Sequence, residues 1–235
     1  LLNTEEYLLI RNEAINNANS LRDPIRQLDT YDVAILDTLG EVNWLDEVFN
    51  SAPTQRYSLS ASGGGDNGSF YLLGEYSSQE GVFKRQRYDK YLLRFNGDIG
   101  TKKFKVGNNI SFSYTDRDVI NSSGDGGGPG NELSGIRYAL IAAPVFPIYD
   151  QNGNYNNTSS TLGDPTLYGD GNANPLAFID ATNWTVQRYR FFGNVFAEYK
   201  FLPNLTFRTN LGADILFQDE TIFKERLSAA IYDPT

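Results

Sequence analysis

The sequence of 235 residues contains no cysteine, no histidine and no methionine. Without cysteine the chain can form neither disulfides nor thiolate metal sites, and without histidine it lacks the commonest general base and metal ligand. We therefore expect neither an enzyme nor a bound cofactor. The missing methionine, and a first stretch from Leu1 to Ile10 without the basic start or cleavage site of a signal peptide, lead us to expect a segment of a longer precursor.

Basic residues are also scarce relative to acidic ones, since 20 Lys and Arg face 29 Asp and Glu, for a formal net charge of −9. Because phosphate binding needs clustered cations and these are scattered, a nucleic-acid partner is not expected. Long apolar runs are missing as well, and none approaches the roughly 18 to 20 residues of a membrane-spanning helix. What is abundant is 22 Gly, 15 Tyr and 15 Phe, a composition typical of strands, turns and interfacial aromatic belts.

One helix is predicted, near the start. Asn3 can cap it with Glu6 reaching back in a capping box, and the pattern ends before Pro24. The apolar residues at helical spacing, which we expect to pack on a neighbouring surface, are Tyr7, Ile10, Ala14, Ile15 and Ala18.

From Arg56 onward the apolar period changes to two. Apolar and polar side chains alternate most clearly in Phe104 to Thr115 and Leu205 to Gln218, with further copies at Lys90 to Ile99 and Asn194 to Phe201. Soluble strands average about 5 to 6 residues, whereas a tilted transmembrane strand needs about 9 to 11. The polar face also carries charge, as expected of residues lining a hydrated lumen. The residues predicted to face lipid include Tyr91, Phe95, Phe104, Ile110, Phe112, Phe207, Leu211 and Ile215.

The connections separate a transmembrane barrel from a soluble sandwich, because alternation alone fits both. Four are short and contain Gly or Pro, at 63–69, 81–87, 100–103 and 202–204. The fifth, 116–185, is very long. Outer-membrane barrels alternate short periplasmic turns with long extracellular loops, and counting strands puts the long connection on the same side as 81–87.

The resulting organisation has four parts. We expect residues 1–45 to form a helix-containing segment and residues 46–115 to form barrel strands and short hairpins. Residues 116–185 form the long extracellular loop, partly folded on itself, whose glycine tract Ser123 to Gly130 is expected to be its most mobile part. Residues 186–235 add barrel strands and the start of the next extracellular loop.

Several motifs invite a chemical interpretation that their context does not favour. The glycine-rich stretches at 63–68 and 124–130 lack the P-loop ending and are interpreted as turns or mobile loop. Asp150 to Asn154 resembles the start of a calcium loop, but its glycine is one place early and position twelve is Thr161, so a tight turn is favoured and a loose site with Asp170 to Asn172 stays open. The acid pairs Asp46 with Glu47 and Asp219 with Glu220 are interpreted as solvated charge.

Aromatic residues in the long loop are the candidate ligand contacts. A flat apolar ring with a polar tip suits sugars and peptide side chains, although the same residues can simply pack within the loop. The candidates are Tyr149, Tyr155, Tyr168 and Trp184.

The string from Asn43 to Glu80 closely resembles the start of the barrel in SusC/RagA-like TonB-dependent transporters. The matching pieces are Asn43-Trp-Leu-Asp-Glu-Val-Phe49, Ala52-Pro-Thr-Gln55, Tyr57 to Gly64, Tyr71-Leu-Leu-Gly-Glu-Tyr76 and Gln79-Glu-Gly81. Supporting pieces are Asn3 to Ala14, Lys105-Val-Gly-Asn-Asn109, Pro147 to Tyr155 and Asn174-Pro-Leu-Ala177. Together they cover nearly the whole chain.

The resemblance implies a mainly β, antiparallel outer-membrane barrel of 22 strands, of which this segment holds about six, with a short N-terminal helix and a long extracellular loop. It also implies a plug and a TonB box upstream, with residues 1–45 extracellular or close to that plug. It further implies a SusD-like surface lipoprotein partner, energy supplied through the TonB complex, and import of oligosaccharides or peptides. Two other functions stay open from the residues: a passive porin or receptor barrel, and a soluble β-sandwich binding module.

Overall fold

The computed structural model describes residues 1–120, 135–156, 162, 164–168 and 174–225, and the chain divides into two compact units. The first unit comprises Leu1–Asn50, Ile120–Thr182 and Phe223–Thr235, and contains the helices. The second comprises Ser51–Val119 and Asn183–Ile222, and is formed by strands. The expected mobile tract Ser123 to Gly130 lies outside the described residues, as do Thr161 and Asp170 to Asn172.

The strands form one six-stranded sheet in which sequence order is also spatial order. The first five strands pair antiparallel in chain order, as the sequence predicts. The strands are β1 Thr54–Gly65, β2 Gly68–Glu80, β3 Arg87–Gly100, β4 Phe104–Val119, β5 Thr182–Leu202 and β6 Leu205–Lys224. Their length and short connections match the prediction of a barrel segment.

Strand pairing places five tyrosines in one row across the sheet. Each is the direct partner of the next, and successive ring centroids lie 6.5, 4.9, 6.0 and 4.7 Å apart. The members of this tyrosine row are Tyr57, Tyr76, Tyr91, Tyr114 and Tyr189. Cross-strand partners share a face, so the row belongs to the apolar face that the alternation predicts.

A second aromatic pair, Phe104 with Tyr199, lies on the same face near the opposite end of β4 and β5. About ten residues separate Phe104 from Tyr114, which corresponds to about 33 Å along the strand. At the usual tilt of roughly 40° this spans about 25 Å, the height of the apolar band in outer-membrane barrels. Beyond the tyrosine row the same face turns polar, because Asp89 pairs with Asp116. The apolar band therefore has an aromatic border at each end.

The apolar side chains of the sheet are open on its surface rather than packed between two layers. Tyr91, Phe112 and Leu211 are 49%, 45% and 75% exposed. A sandwich needs a second sheet over this face, and the part of the chain that the structure describes contains a single sheet. The soluble sandwich interpretation is therefore not supported.

The helices of the first unit are short, apart from the first. They are α1 Thr4–Asn19, α2 Trp44–Val48, α3 Gly135–Ile141, α4 Pro165–Tyr168 and α5 Pro175–Ala181, with 3₁₀ turns at Pro24–Arg26 and Val33–Thr38. Among the residues described, no helix combines the length and the apolar character needed to cross a bilayer.

The predicted start of α1 is confirmed, but its predicted apolar stripe is partly wrong. The Asn3 side chain accepts from the Glu6 backbone at 2.8 Å and the Glu6 carboxylate accepts from the Asn3 backbone at 3.1 Å, which completes the capping box. The buried residues are Thr4, Leu8 and Ile15, whereas Ile10 is 51% exposed. Leu8 replaces Ile10 because the surface that α1 covers is supplied by residues distant in sequence, which helical spacing alone does not locate.

The core of the first unit joins α2 to the segment before residue 149. Trp44 is fully buried, its ring centroid lies 5.6 Å from that of buried Phe146, and its indole nitrogen donates to the Ala143 carbonyl at 2.9 Å. Burying an aromatic side chain of this size stabilises the unit by roughly 2 to 3 kcal/mol. The segment that leads into the candidate loop residues is thus fixed by packing.

Candidate functional site

Tyr149 and Tyr155 are brought together by a tight turn. Asp150 directs one carboxylate oxygen at the backbone nitrogens of Asn152 and Asn154, each at 2.8 Å. Gly153 adopts a φ of +83°, which L side chains rarely adopt. The turn closes an antiparallel bridge between the two tyrosines and stacks their rings, with centroids 5.1 Å apart and an interplanar angle of 23°. We call Tyr149 and Tyr155 the tyrosine platform.

The platform is anchored through the Tyr155 hydroxyl, and the Tyr149 side chain is exposed to solvent. The Tyr155 hydroxyl donates to the Asp180 carboxylate at 2.5 Å, and Tyr149 is 52% exposed. Burial, followed by the hydrogen bond to Asp180, raises the pKa of Tyr155 well above its ordinary range. Tyr155 therefore stays neutral in ordinary buffers, and Tyr149 presents a ring on which a flat apolar surface can stack.

Two buried asparagines hold the chain on either side of the platform. The Asn174 side chain is fully buried, donates to the Ile148 carbonyl at 2.9 Å, and caps α5 by accepting from the Leu176 backbone at 3.0 Å. Asn156 donates from its side chain to the Pro147 carbonyl at 2.9 Å. Each bond joins the platform segment to buried structure, so the rings are held on a rigid base.

Tyr168 lies apart from the platform, in the short helix α4. It is half-buried, and its backbone nitrogen donates to the Asp164 carbonyl at 3.0 Å. The neighbouring residue, Leu167, is buried and its carbonyl accepts from the Tyr7 hydroxyl at 2.7 Å, which ties α4 to α1. Among the described residues Tyr168 makes no ring contact with the platform, so the structure does not join these candidates into one surface.

Trp184 belongs to β5 rather than to the loop in which the sequence placed it. β5 begins at Thr182, seven residues before Tyr189 of the tyrosine row, so the strand extends past the apolar band. Trp184 is half-buried and its indole nitrogen donates to the Glu220 carboxylate of β6 at 2.8 Å. It shares the polar face of the sheet with Arg188, two pairs further along.

The described loop residues favour a tight turn over a calcium site. The carboxylate of Asp150 accepts from the Asn154 and Asn152 backbone, and these bonds lower its pKa below the usual range. Within the described part of the chain no group of three or more acidic side chains could hold a metal ion. The candidate partners Thr161 and Asp170 to Asn172 lie outside that part.

Sequence reasoning missed the residues that position the platform. Asp180 lies within α5, 25 residues after Tyr155 in the sequence, so no local pattern indicates their contact. Asn174 offered a signal, because Asn before Pro at the start of a short apolar run is typical of a helix cap. The tyrosine row needs the register of five strands, which the sequence does not state.

No protein-family model matches the chain. Three curated relatives do match: TonB-dependent receptor P3 of Formosa agariphila, 31% identical over 72% of this chain; TonB-dependent receptor P26 of the same organism, 29% over 67%; and TonB-dependent receptor SusC of Bacteroides thetaiotaomicron, 25% over 75%. The chain spans only 16%, 14% and 18% of the length of these relatives.

Solved structures give the same fold. The RagAB peptide importer in its closed-closed state matches 99% of this chain and 24% of its own at a TM-score of 0.63 and 22% identity. A second structure of the RagAB peptide transporter matches 94% of this chain and 26% of its own at a TM-score of 0.63 and 20% identity. Identities this low speak for the fold alone, which agrees with an outer-membrane barrel segment.

Proposed function

This chain is a barrel segment of a SusC/RagA-like TonB-dependent transporter, and from that premise we propose that the whole protein imports oligosaccharides or peptides across a bacterial outer membrane. A large hydrated barrel suits cargo of this size, because it passes polar molecules that cannot dissolve in lipid. The chain contributes wall and surface loop to this function. No catalytic step is assigned to it.

The observation that carries the proposal is the two-faced sheet with its aromatic borders. An apolar band about 25 Å high belongs in a membrane, and the opposite face of the same strands carries ion pairs that belong in water. Arg190 with Asp214, at 2.7 Å, is one such pair. A wall with these two faces separates lipid from an aqueous path, which is what an importer of polar cargo needs.

The contacts proposed for cargo are Tyr149, Tyr155 and Tyr168 in the connection between β4 and β5, and Trp184 at the start of β5. The segment that carries the platform joins the end of β4 to the start of β5, the same ends of the strands as the 81–86 connection. We assign those ends to the cell surface, where the family receives cargo. The stacked pair, with Tyr149 exposed, is the strongest of these contacts, because its anchoring uses the Tyr155 hydroxyl and leaves the Tyr149 ring available.

Partners follow from the family rather than from contacts of this chain. We propose a SusD-like surface lipoprotein that delivers cargo, the TonB complex acting through regions outside this segment, and outer-membrane lipid around the apolar band. RagAB is described as a peptide importer and peptide transporter, and that cargo belongs to that protein. Either peptide or glycan remains within this proposal.

Uptake by cells carrying the full-length protein tests the proposal. The variant with all four aromatics replaced by alanine should assemble normally and take up labelled oligosaccharide or peptide more slowly. Normal assembly with normal uptake would show that the aromatics carry no ligand role, and failed assembly would show that they pack the loop. Uptake that persists without TonB would favour a passive porin.

A further inference from the structure

The polar face of the sheet is richer in cations than the chain as a whole. This face carries every second side chain of each strand, on the side opposite the tyrosine row. Cations outnumber acids on it, although the chain has a net charge of −9. The cations are Arg56, Lys90, Arg94, Lys105, Arg117, Arg188, Arg190, Lys200 and Arg208. The acids are Glu75, Asp98, Glu198, Asp214 and Glu220.

Four of these cations each have an acidic neighbour on the same face. Arg56 pairs with Glu75 at 2.5 Å, Lys105 with Asp98 at 3.0 Å, Arg190 with Asp214 at 2.7 Å and Arg208 with Glu198 at 2.8 Å. The sheet therefore neutralises cations where its own acids lie within reach. The remaining cations of this face form no ion pair among the described residues and are available to an anionic ligand.

Lys90, Arg117 and Arg188 form such a group, which we call the cation cluster. Lys90 and Arg188 are both partners of Thr115, one on each side of β4, and Arg117 is the next residue of β4 on the same face. The backbones of Lys90 and Arg188 are thus about 10 Å apart, and Arg117 is about 7 Å further along the strand. Among the described residues none of the three forms an ion pair, and Arg188 donates to the neutral amide of Gln218 at 2.7 Å.

The position of the cluster suits cargo rather than lipid. Lys90 precedes Tyr91 of the tyrosine row, so the cluster lies at the outer border of the apolar band but on the opposite face. Two pairs beyond Arg188 on that face lies Trp184, which offers a flat ring beside the cluster. Adjacent cations repel one another in water, and an anionic ligand removes that repulsion. The Glu220 carboxylate is engaged by the Trp184 indole.

We propose that the cation cluster binds the carboxylate groups of an acidic oligosaccharide, with Trp184 stacking on a sugar ring. This rests on the proposed importer function and narrows its cargo to anionic chains. Repeated carboxylates at sugar spacing match cations spread over about 10 Å, whereas a single small anion can meet only one or two of them. Trp184 favours a sugar over an acidic peptide, because carbohydrate rings present flat apolar faces.

Calorimetric titration of the detergent-solubilised full-length transporter tests this, with tetragalacturonate as probe and maltotetraose as its neutral counterpart. The variant Lys90→Gln, Arg117→Gln, Arg188→Gln should bind tetragalacturonate roughly thirtyfold more weakly, since each exposed pair is worth about two- to fivefold. Maltotetraose binding should not change. The control Arg56→Gln, Lys105→Gln, Arg208→Gln removes the same charge from cations that already have acids, and should change tetragalacturonate affinity by less than about threefold.

Four results of the affinity comparisons would overturn the proposal. They are unchanged tetragalacturonate affinity in the cluster variant, equal loss for both sugars, equal loss in the control, and selective binding of tetraglutamate in place of the sugar. A lower thermal stability of the cluster variant in the absence of sugar would also overturn it, because it would show that the three cations pair with acids elsewhere in the full-length chain. If neutral oligosaccharide is still imported while tetragalacturonate is not bound, the importer function stands and only the anionic cargo falls.

Discussion

At the scale of single residues, the Tyr155 hydroxyl holds the tyrosine platform in place. Tyr155 donates to Asp180, and the raised pKa of Tyr155 keeps the donor protonated. This hydrogen bond is fully present below the ordinary tyrosine pKa of about 10 and is lost only as pH rises through the higher folded value. The platform should therefore keep its geometry throughout neutral and mildly alkaline conditions.

Replacing Tyr155 with phenylalanine removes the donor and keeps the ring. We expect faster hydrogen exchange of residues 149–156, equivalent to about 1 kcal/mol of local stability, because the hydrogen bond from residue 155 to Asp180 is lost. Spectrophotometric titration should also lose one late-ionising tyrosine. The control is Tyr168→Phe, whose hydroxyl forms no hydrogen bond in the described structure. Unchanged exchange in Tyr155→Phe would show that the hydroxyl does not hold the platform.

Gly153 is the second residue on which the platform depends. A Cβ at this position meets nothing within 4 Å, so the whole penalty of Gly153→Ala comes from its φ of +83°. We expect a loss of about 1 kcal/mol in the local stability of the turn, read from hydrogen exchange of residues 150–155. Gly40→Ala is the matched control, since a Cβ there is also free of neighbours and its φ is not positive. Equal effects of the two would contradict the assigned backbone strain.

Element by element, the strands were the most predictable part of the chain. Alternation and length locate β4 from Phe104 and β6 from Leu205, because every second side chain meets the same environment. The cap of α1 was equally visible, since a capping box is local. The buried face of α1 was not, because α1 is held by residues far away in sequence, such as Leu167, whose carbonyl accepts from the Tyr7 hydroxyl.

The candidate site was less predictable than the strands, because its geometry also depends on contacts between residues distant in sequence. The tyrosines were chosen by residue type alone, and only the turn at Asp150 shows that two of them meet. Trp184 was assigned to the loop because the long connection was predicted to run to residue 185. β5 runs for 21 residues and carries Trp184 on its polar face. The cation cluster depends on strand register, which a list of charges does not contain.

A charge on the apolar face of β4 tests the assignment of faces. Ile110 lies between Tyr114 and Phe104, near the middle of the band, so Ile110→Arg should lower the unfolding free energy of the full-length protein in lipid vesicles by about 2 to 4 kcal/mol. Ser111→Arg places the same charge on the opposite face and should cost less than about 1 kcal/mol. Urea titration of the two variants compares them directly. A larger cost at Ser111 would reverse the faces.

At the scale of the whole molecule, the aromatic borders, the apolar band and the charged face describe one wall between lipid and water. The tyrosine row marks one edge, Phe104 with Tyr199 marks the opposite edge, and about 25 Å lies between them. The segments that carry the platform and the 81–86 connection begin beyond the tyrosine row. The apolar band and the charged face thus follow from a single register of strands.

Thiol labelling along β4 tests this account most directly, because the segment contains no natural cysteine. Single cysteines at consecutive positions 105–113 of the full-length protein, freed of any other cysteine, would be exposed to a membrane-impermeant maleimide in native outer membranes made permeable to the reagent. The account predicts labelling at Lys105, Asn109, Ser111 and Ser113 and protection at Val106, Ile110 and Phe112. Equal labelling of both sets, or protection of the polar set alone, would contradict a wall with lipid on one face and water on the other.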